Sequence, residues 1–364
     1  MASPDKPSLQ FIGARYLGEG LIMSVMLTFE FNGVNFFVVA ASPDDEAGGE
    51  TLVPPGYRFE ESLEGKMLAE LTDLTWGEFD KGRIEASKRL EKQLANMAAD
   101  VALTTMQHLA PTPIPPAETL QSHLYPQTYT LQILTDGSKL TCRPTPAGYT
   151  GIPELTRSVS EERLHTMGLD IHTTNVPVIK ASQVGLVRRL QGFVWRVTVQ
   201  GEDMVYKSAT NVFEDAIGDE LAAYLKIRTS GVELGVPELK GIVESHKGVI
   251  GILLAYIPHK HHSLHALLDG VESGTIAPSE ATTSQRQKWA TQIRATLAGL
   301  HGLGILWRDL KTNNVLINED DDAVVLDFGG GNTIGWVDHD KYGSMEGEEQ
   351  GLEKIMLALR VGPD

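Results

Sequence analysis

From residue 11 to residue 39 apolar side chains come in runs, broken by a polar step at Asn32-Gly33. Asn-Gly between apolar runs is a strong hairpin signal, because both positions accept the positive φ of a tight turn. The stretch therefore predicts strands, and residues 54–57 read as a turn. From about residue 78 to 109 the period changes. Ile84, Leu90, Leu94, Met97, Val101 and Met106 recur at helical intervals, with charges concentrated in the first half, which predicts an amphipathic helix. PTPIPP at residues 111–116 breaks that helix and reads as an extended linker. Residues 129–134 and 139–143 then flank Thr135-Asp136-Gly137-Ser138, a second hairpin.

Beyond residue 181 the pattern is denser. Residues 184–190 and 193–199 form a hairpin pattern, and a turn at 200–203 leads to a third strand at 204–206. A helix is expected over 212–229, a buried strand over 249–257 (VIGILLAYI), and an amphipathic helix over 285–303 with Trp289, Ile293, Leu297 and Leu300 on one face. Two short apolar strands, 315–317 and 323–326, flank an acidic turn at 318–322. Internal repeats, zinc-type Cys/His spacings and a Walker sequence are absent from the sequence.

Composition narrows the function classes. A chain of 364 residues has room for two domains, or one elaborated domain, and 41% apolar with 22% charged residues is the balance of a soluble globular protein. A net charge of −17 weighs against a broad nucleic-acid or anionic-membrane surface. Cys142 is the only cysteine, so no intrachain disulfide can form, which favours a reducing, cytoplasmic setting. No signal peptide is apparent at the start, MASPDKPSLQ. The most apolar stretch, residues 21–41, is interrupted by Glu30, Asn32, Gly33 and Asn35 and is too polar for a membrane span. Asp44, Asp45, Glu46 and Glu50 read as a solvated acidic loop, and His259, His261 and His262 as a polar loop rather than a metal site.

Candidate chemistry gathers around residues 300–331. Asp309 lies five residues before Asn314, and Asp327 thirteen after it, bordering strands that do not need them. WRDLKTNN at 307–314 and DFG at 327–329 resemble the HRDLKxxN loop and DFG of protein kinases. Phosphoryl transfer asks for positioning and charge neutralisation more than covalent work. The resemblance gives Asp309 the orientation of the acceptor hydroxyl, Lys311 the charge on the γ-phosphate, and Asn314 and Asp327 the binding of Mg2+ through hard oxygen ligands. A tight hairpin with Asp and Asn as turn residues is the plain alternative. Four matches in type and spacing outweigh it.

The same resemblance assigns residues upstream. Lys207, in VYKSAT, is similar to the strand lysine that contacts the α- and β-phosphates of ATP. Glu220 is the chosen partner for it, with Asp219 and Glu214 as rivals, since acidic residues in a first turn also serve capping. Leu254 takes the gatekeeper position, Ala255 and Ile257 present backbone groups to adenine with Tyr256 between them, Leu316 lies beneath the base, and Val194 and Val205 lie above it.

The fold implied is α+β: a bilobal protein-kinase-like domain with a shortened C-lobe, preceded by an α+β region. Its divisions are 1–165, expected to pack on the kinase-like part and build the acceptor site, and 166–364, with an N-lobe at about 181–254 and a C-lobe at about 258–364. Departures from the family pattern matter equally. The glycine-rich loop is reduced to Arg188-Arg189-Leu190-Gln191-Gly192, so Arg188 or Arg189 is a candidate for supplying charge in place of backbone amides. Trp307 stands where the family has histidine, and Val205 where it has alanine. Only 37 residues follow Asp327 and no APE appears, a pattern similar to short-tailed kinase-like proteins of filamentous fungi. The resemblance implies an ATP- and Mg2+-dependent phosphotransferase acting on a protein Ser/Thr or a small molecule. The alternative is a kinase-fold protein without kinase activity, either a scaffold or one repurposed for another group transfer.

Overall fold

Among the described residues, two large sheets each carry their own helices and their own apolar core. The computed structural model describes residues 9–17, 24–41, 56–75, 81–145, 158–166, 168–171, 173–208, 216–246, 248–261, 263–269, 271–272, 275–276, 281–328, 331, 333 and 335–362. The acidic cluster at Asp44, Asp45, Glu46 and Glu50 lies outside them, as do Pro54, His262, Glu214, Asp215 and Gly329. One unit comprises residues 1–117 and 122–155; the other comprises residues 118–121 and 156–364.

The first unit is built on a five-stranded sheet in the order β1 (Gln10–Leu17), β2 (Ser24–Phe31), β3 (Val34–Ala41), β4 (Thr128–Asp136), β5 (Lys139–Pro144). Asn32 and Gly33 close the β2–β3 hairpin with φ of 55° and 78°, the mirror-image turn their side chains allow. β3 and β4 run parallel, which requires a long crossover. Helices α1 (Leu63–Thr75) and α2 (Lys81–Leu109) supply it. Leu68, Leu71, Leu94, Ala98 and Met106 on these helices bury against Val25, Leu27, Phe29, Phe36, Val38, Leu131 and Ile133. The helix α1 was not read from the sequence, although Leu68 and Leu71 stand at helical spacing. Its first turn buries Glu64, which accepts from Tyr57 Oη at 2.6 Å and Thr135 N at 2.8 Å. A short helix, α3 (Leu120–Leu124), follows the extended 111–116 stretch.

In the second unit, after α4 (Glu161–Thr166) comes a six-stranded sheet ordered β6 (Val178–Lys180), β10 (Leu239–Ser245), β11 (Gly248–Ala255), β9 (Glu202–Ser208), β8 (Val194–Val199), β7 (Gly185–Gln191). Helix α5 (Ala216–Ser230) falls between β9 and β10 in the chain. The unit reaches upstream of residue 166, since Val159 bridges Val249, and it takes in Thr119, which bridges Gly185. α6 (Leu264–Asp269) and the two-residue strands β12 (Val271–Glu272) and β13 (Thr275–Ile276) lead to α7 (Thr283–Gly302). Thr282 caps α7 through a reciprocal pair with Gln285. The hairpin β14 (Val315–Ile317) with β15 (Ala323–Val325), then α8 (Met345–Leu359), complete it. One continuous core joins Tyr224, Ile252, Trp289, Leu300, Trp307, Val315, Phe328 and Ile355. Among the described residues no helix is long and apolar enough to cross a membrane.

Candidate active site

The loop between α7 and β14 is fixed by its own buried anchors. Trp307 is fully buried and donates from Nε1 to Leu326 O at 2.7 Å, stitching residue 307 to the chain just before Asp327. Leu310 is also buried. Arg308 and Asp327 both have φ of 69°, a left-handed conformation that non-glycine residues adopt at a cost of about 1–3 kcal/mol. Strain of that kind is kept where the surrounding structure over-determines it.

Asp309 is the hub. It is 6% exposed, and its Oδ1 accepts from Thr333 Oγ1 at 2.8 Å while its Oδ2 accepts from Lys311 Nζ and from Asn314 Nδ2 at 3.1 Å. Lys311 also donates to Thr333 Oγ1 at 2.8 Å. Asn314 adds a bond to the Asp309 carbonyl at 2.9 Å, so its amide nitrogen is spent within the loop and its oxygen is the atom with metal-ligand chemistry.

A second cluster is centred on Lys207. Its Nζ lies 2.7 Å from Glu220 Oε2 and 2.6 Å from Asp327 Oδ1. Of the three rivals for Lys207, Glu220 holds it, Asp219 pairs instead with Arg308 at 3.0 Å, and Glu214 lies outside the described residues. Burial works against the charge on Lys207, but the two carboxylates outweigh it and hold the ammonium above its usual range. Burial also pushes Glu220 up, against the pull of Lys207.

The sheet sets a wall beside Lys207. In the register of β8, β9 and β11, Lys207 lies opposite Val194 and Ile252, and Val205 opposite Leu254 and Arg196. Lys207, Val205, Val194 and Leu254 therefore share one face. Leu316, on β14, is 8% exposed. Ala255 spends its N–H on Glu238 O at 2.9 Å, and the Ile257 carbonyl accepts from His259 Nδ1 at 2.6 Å. Tyr256 lies under the guanidinium of Arg196, 4.4 Å from ring centroid to carbon, and Arg196 is also paired with Asp203. At the hairpin tip, Arg189 Nε donates to Gly192 O at 2.6 Å and ties the turn, whereas exposed Arg188 sits opposite Arg196 on the Lys207 face.

Sequence reading missed Glu348 and Thr333 as parts of this site. Glu348, 1% exposed on α8, accepts from Trp307 N at 2.9 Å and Arg308 N at 2.8 Å, and contacts His301 Nε2 at 3.1 Å. Its signal was available: a glutamate in the stripe of Glu348, Gly351, Ile355 and Leu359, where the helix buries its other members. Among the described residues no group of three His, Cys, Asp or Glu side chains is arranged to hold a metal by itself.

Residues 205–345 match the family model described as protein kinase domain. The serine/threonine-protein kinase PKH3 of Eremothecium gossypii is 27% identical over 127 residues, covering 33% of this chain and 16% of that protein. Mitogen-activated protein kinase 14 of Xenopus laevis is 33% identical over 91 residues, covering 23% of this chain and 25% of that protein. Serine/threonine-protein kinase kin-29 of Caenorhabditis briggsae is 44% identical over 54 residues, 15% of this chain and 7% of that one. The matched part spans about a quarter or less of each of these relatives. Residues 205–345, which carry the α+β elements around Lys207 and Asp309, are thus similar to the protein kinase domain.

Proposed function

We propose that the chain is an ATP- and Mg2+-dependent phosphotransferase acting on a hydroxyl. The observation that carries this reading is the ion-paired Lys207, held by Glu220 on one side and Asp327 on the other. A partly buried lysine between two carboxylates, one of them fully buried, is an expensive arrangement for structure alone; it suits a cation that steers phosphates.

The donor set fits the nucleotide and its metal. Mg2+ is held in such sites by one or two protein oxygens, with phosphates and waters filling the rest, which is what Asp327 and the Asn314 side-chain oxygen offer. Bound MgATP would supply the transferable phosphoryl group and the divalent charge beside it. Val194 and Val205 above and Leu316 below form the apolar slot for the base, with Leu254 at its back. Since Ala255 has spent its N–H and Ile257 its carbonyl, they offer a carbonyl and an N–H to the adenine edge. Asp309 orients the acceptor hydroxyl and takes its proton, and Lys311 offsets charge on the phosphoryl oxygens. Arg188 is the arginine placed to add charge from the hairpin.

Lys311, standing two residues after Asp309 as in the protein-kinase type, supports a protein Ser/Thr acceptor over a small molecule. With a single cysteine there is no intrachain disulfide to lose, so a cytoplasmic setting fits.

A second reading, a kinase-fold protein that binds nucleotide without transfer, draws on one observation. The hairpin over the phosphates keeps only Gly192, so backbone amides approach less closely. Thermal shift with ATP, with and without Mg2+, separates the two when combined with transfer assays. At about 100 times Kd a ligand stabilises by roughly 2.7 kcal/mol. Mg2+-dependent stabilisation lost in Asp327→Ala, with transfer lost in Asp309→Ala, supports the phosphotransferase; binding without any turnover supports the second reading; no shift sinks both.

A further inference from the structure

Arg308 Nη1 lies 3.0 Å from Asp219 Oδ2. Asp219 immediately precedes Glu220 on α5, and Glu220 grips Lys207 at 2.7 Å. Successive helical residues point about 100° apart. Adjacent carboxylates of α5 thus meet two different elements, β9 through Lys207 and the loop that carries Asp309 through Arg308.

Three hydroxyls downstream of Asp327 invite the idea that Arg308 reads a phosphate, and none is turned to it; Tyr342 Oη accepts from Gly331 N at 2.9 Å. Thr333 is bonded to Asp309 at 2.8 Å and to Lys311 at 2.8 Å. Ser344 caps α8, accepting from Gly347 N at 3.1 Å and donating to Lys341 O at 2.7 Å.

We propose that Asp219 is a positioning residue, supplying from within α5 the anion that Arg308 requires. The placement of Glu220 on Lys207 and the placement of Asp309 are thereby set together, with no phosphate needed on Thr333, Tyr342 or Ser344. The consequence for rate rests on the phosphotransferase reading; the mechanical coupling does not. Arg308 and Asp219 are 40% and 42% exposed, so their attraction is partly screened and falls with added salt. On the backbone side Arg308 is fixed separately by Glu348, so loss of Asp219 frees the guanidinium without unfolding the loop.

The test uses the full chain and compares Asp219→Asn, Arg308→Gln and the exchange Asp219→Arg with Arg308→Asp. Aspartate tolerates the left-handed backbone at position 308. Hydrogen–deuterium exchange is read over α5 and over residues 307–314, and transfer is measured before and after phosphatase treatment. Each single variant is expected to speed exchange in both segments together and to lower kcat about three- to fivefold, the range of a half-exposed ion pair, with the ATP KM moving about twofold or less. The charge exchange should recover at least part of both, and phosphatase should leave the wild type unchanged. Unaltered exchange in Asp219→Asn, a response in one segment alone, or wild-type activity that phosphatase abolishes would overturn the proposal. If the wild type transfers no phosphate, the phosphotransferase reading falls while the exchange data still decide the coupling.

Discussion

The Nζ of Lys207 lies 2.6 Å from Oδ1 of Asp327 across 120 residues of chain. Glu220, whose side chain is 2% exposed, completes the pair from α5, so removing the lysine strands a buried carboxylate. Breaking a buried pair from one side costs about 3–5 kcal/mol, whereas replacing both partners by apolar groups is often near neutral. Lys207→Met is therefore expected to lower the thermal transition of this unit strongly, and Lys207→Met with Glu220→Leu to restore most of it. A double variant no more stable than the single one would contradict the pairing.

The same pair predicts a pH dependence of defined sign. Lys207 is held above its ordinary 10.5, so its stabilising charge is fully present below that value and is lost only as pH climbs through the higher folded pKa. Glu220 is raised by burial, so any stability tied to its protonation is present at low pH and lost as pH rises through its folded pKa. In Lys207→Met the counter-charge is gone and the Glu220 pKa climbs further. The gap between wild type and variant should then narrow as pH falls from about 8 to about 5. A gap that widens on acidification, measured by parallel thermal melts, would rule this out.

Glu348 supports the loop from beneath, accepting from the backbone of Trp307 and Arg308. Glu348→Ala leaves two N–H groups without their acceptor, at about 1–3 kcal/mol each. Each N–H uses a different carboxylate oxygen, so Glu348→Gln keeps an acceptor for only one of them and should cost less than the alanine variant while still destabilising the loop. Tryptophan fluorescence during melting reports the difference, because Trp307 is among the buried indoles. An alanine variant as stable as the wild type would show that these bonds contribute nothing.

How far the sequence carried this picture depends on the separation of the partners. Hairpins such as Asn32-Gly33 were legible because turn chemistry is local. Helix α7 was legible because Trp289, Ile293, Leu297 and Leu300 repeat along one face. Lys207 and Asp327 are legible only through the spacing of a family motif, and nothing local distinguishes Glu220 from Asp219. They differ by one residue on α5, and that step turns one carboxylate to β9 and the other to Arg308, 89 residues away. Strand β10, with Gly241 and Glu244 interrupting its apolar run, carried too weak an alternation to be read. Glu348 stands between Glu346 and Glu349, which face solvent on the same helix, so only its place in the stripe with Gly351, Ile355 and Leu359 sets it apart.

At Gly251 β11 passes close against β9. A Cβ there would stand 2.3 Å from Lys207 O and 2.5 Å from the Tyr206 ring. The clash is with backbone, so β9 must move, at about 1–3 kcal/mol for overpacking. Gly251→Ala should destabilise this unit and weaken nucleotide-dependent stabilisation by displacing Lys207. Gly302, at the end of α7, has nothing within 4 Å of such a Cβ, and Gly302→Ala should be neutral or slightly stabilising. Nucleotide-induced shifts identical in the two variants would disconnect Gly251 from the site.

Thr333 provides the sharpest separation of transfer from binding. Its hydroxyl donates to Asp309 and accepts from Lys311, while Lys207, Glu220 and Asp327 form the other cluster. Thr333→Val keeps the shape and removes both bonds. Hydrogen bonds to charged groups contribute about 1.5–3 kcal/mol, which corresponds to roughly 10- to 100-fold in rate if they hold Asp309 and Lys311 in their working positions. Transfer should fall by that factor, MgATP-dependent thermal stabilisation should stay within about twofold of wild type in apparent Kd, and Thr333→Ser, which keeps the hydroxyl, should retain most of the activity. Loss of MgATP binding in Thr333→Val would mean that the two clusters act as one, and full activity in that variant would remove Thr333 from the machinery of transfer.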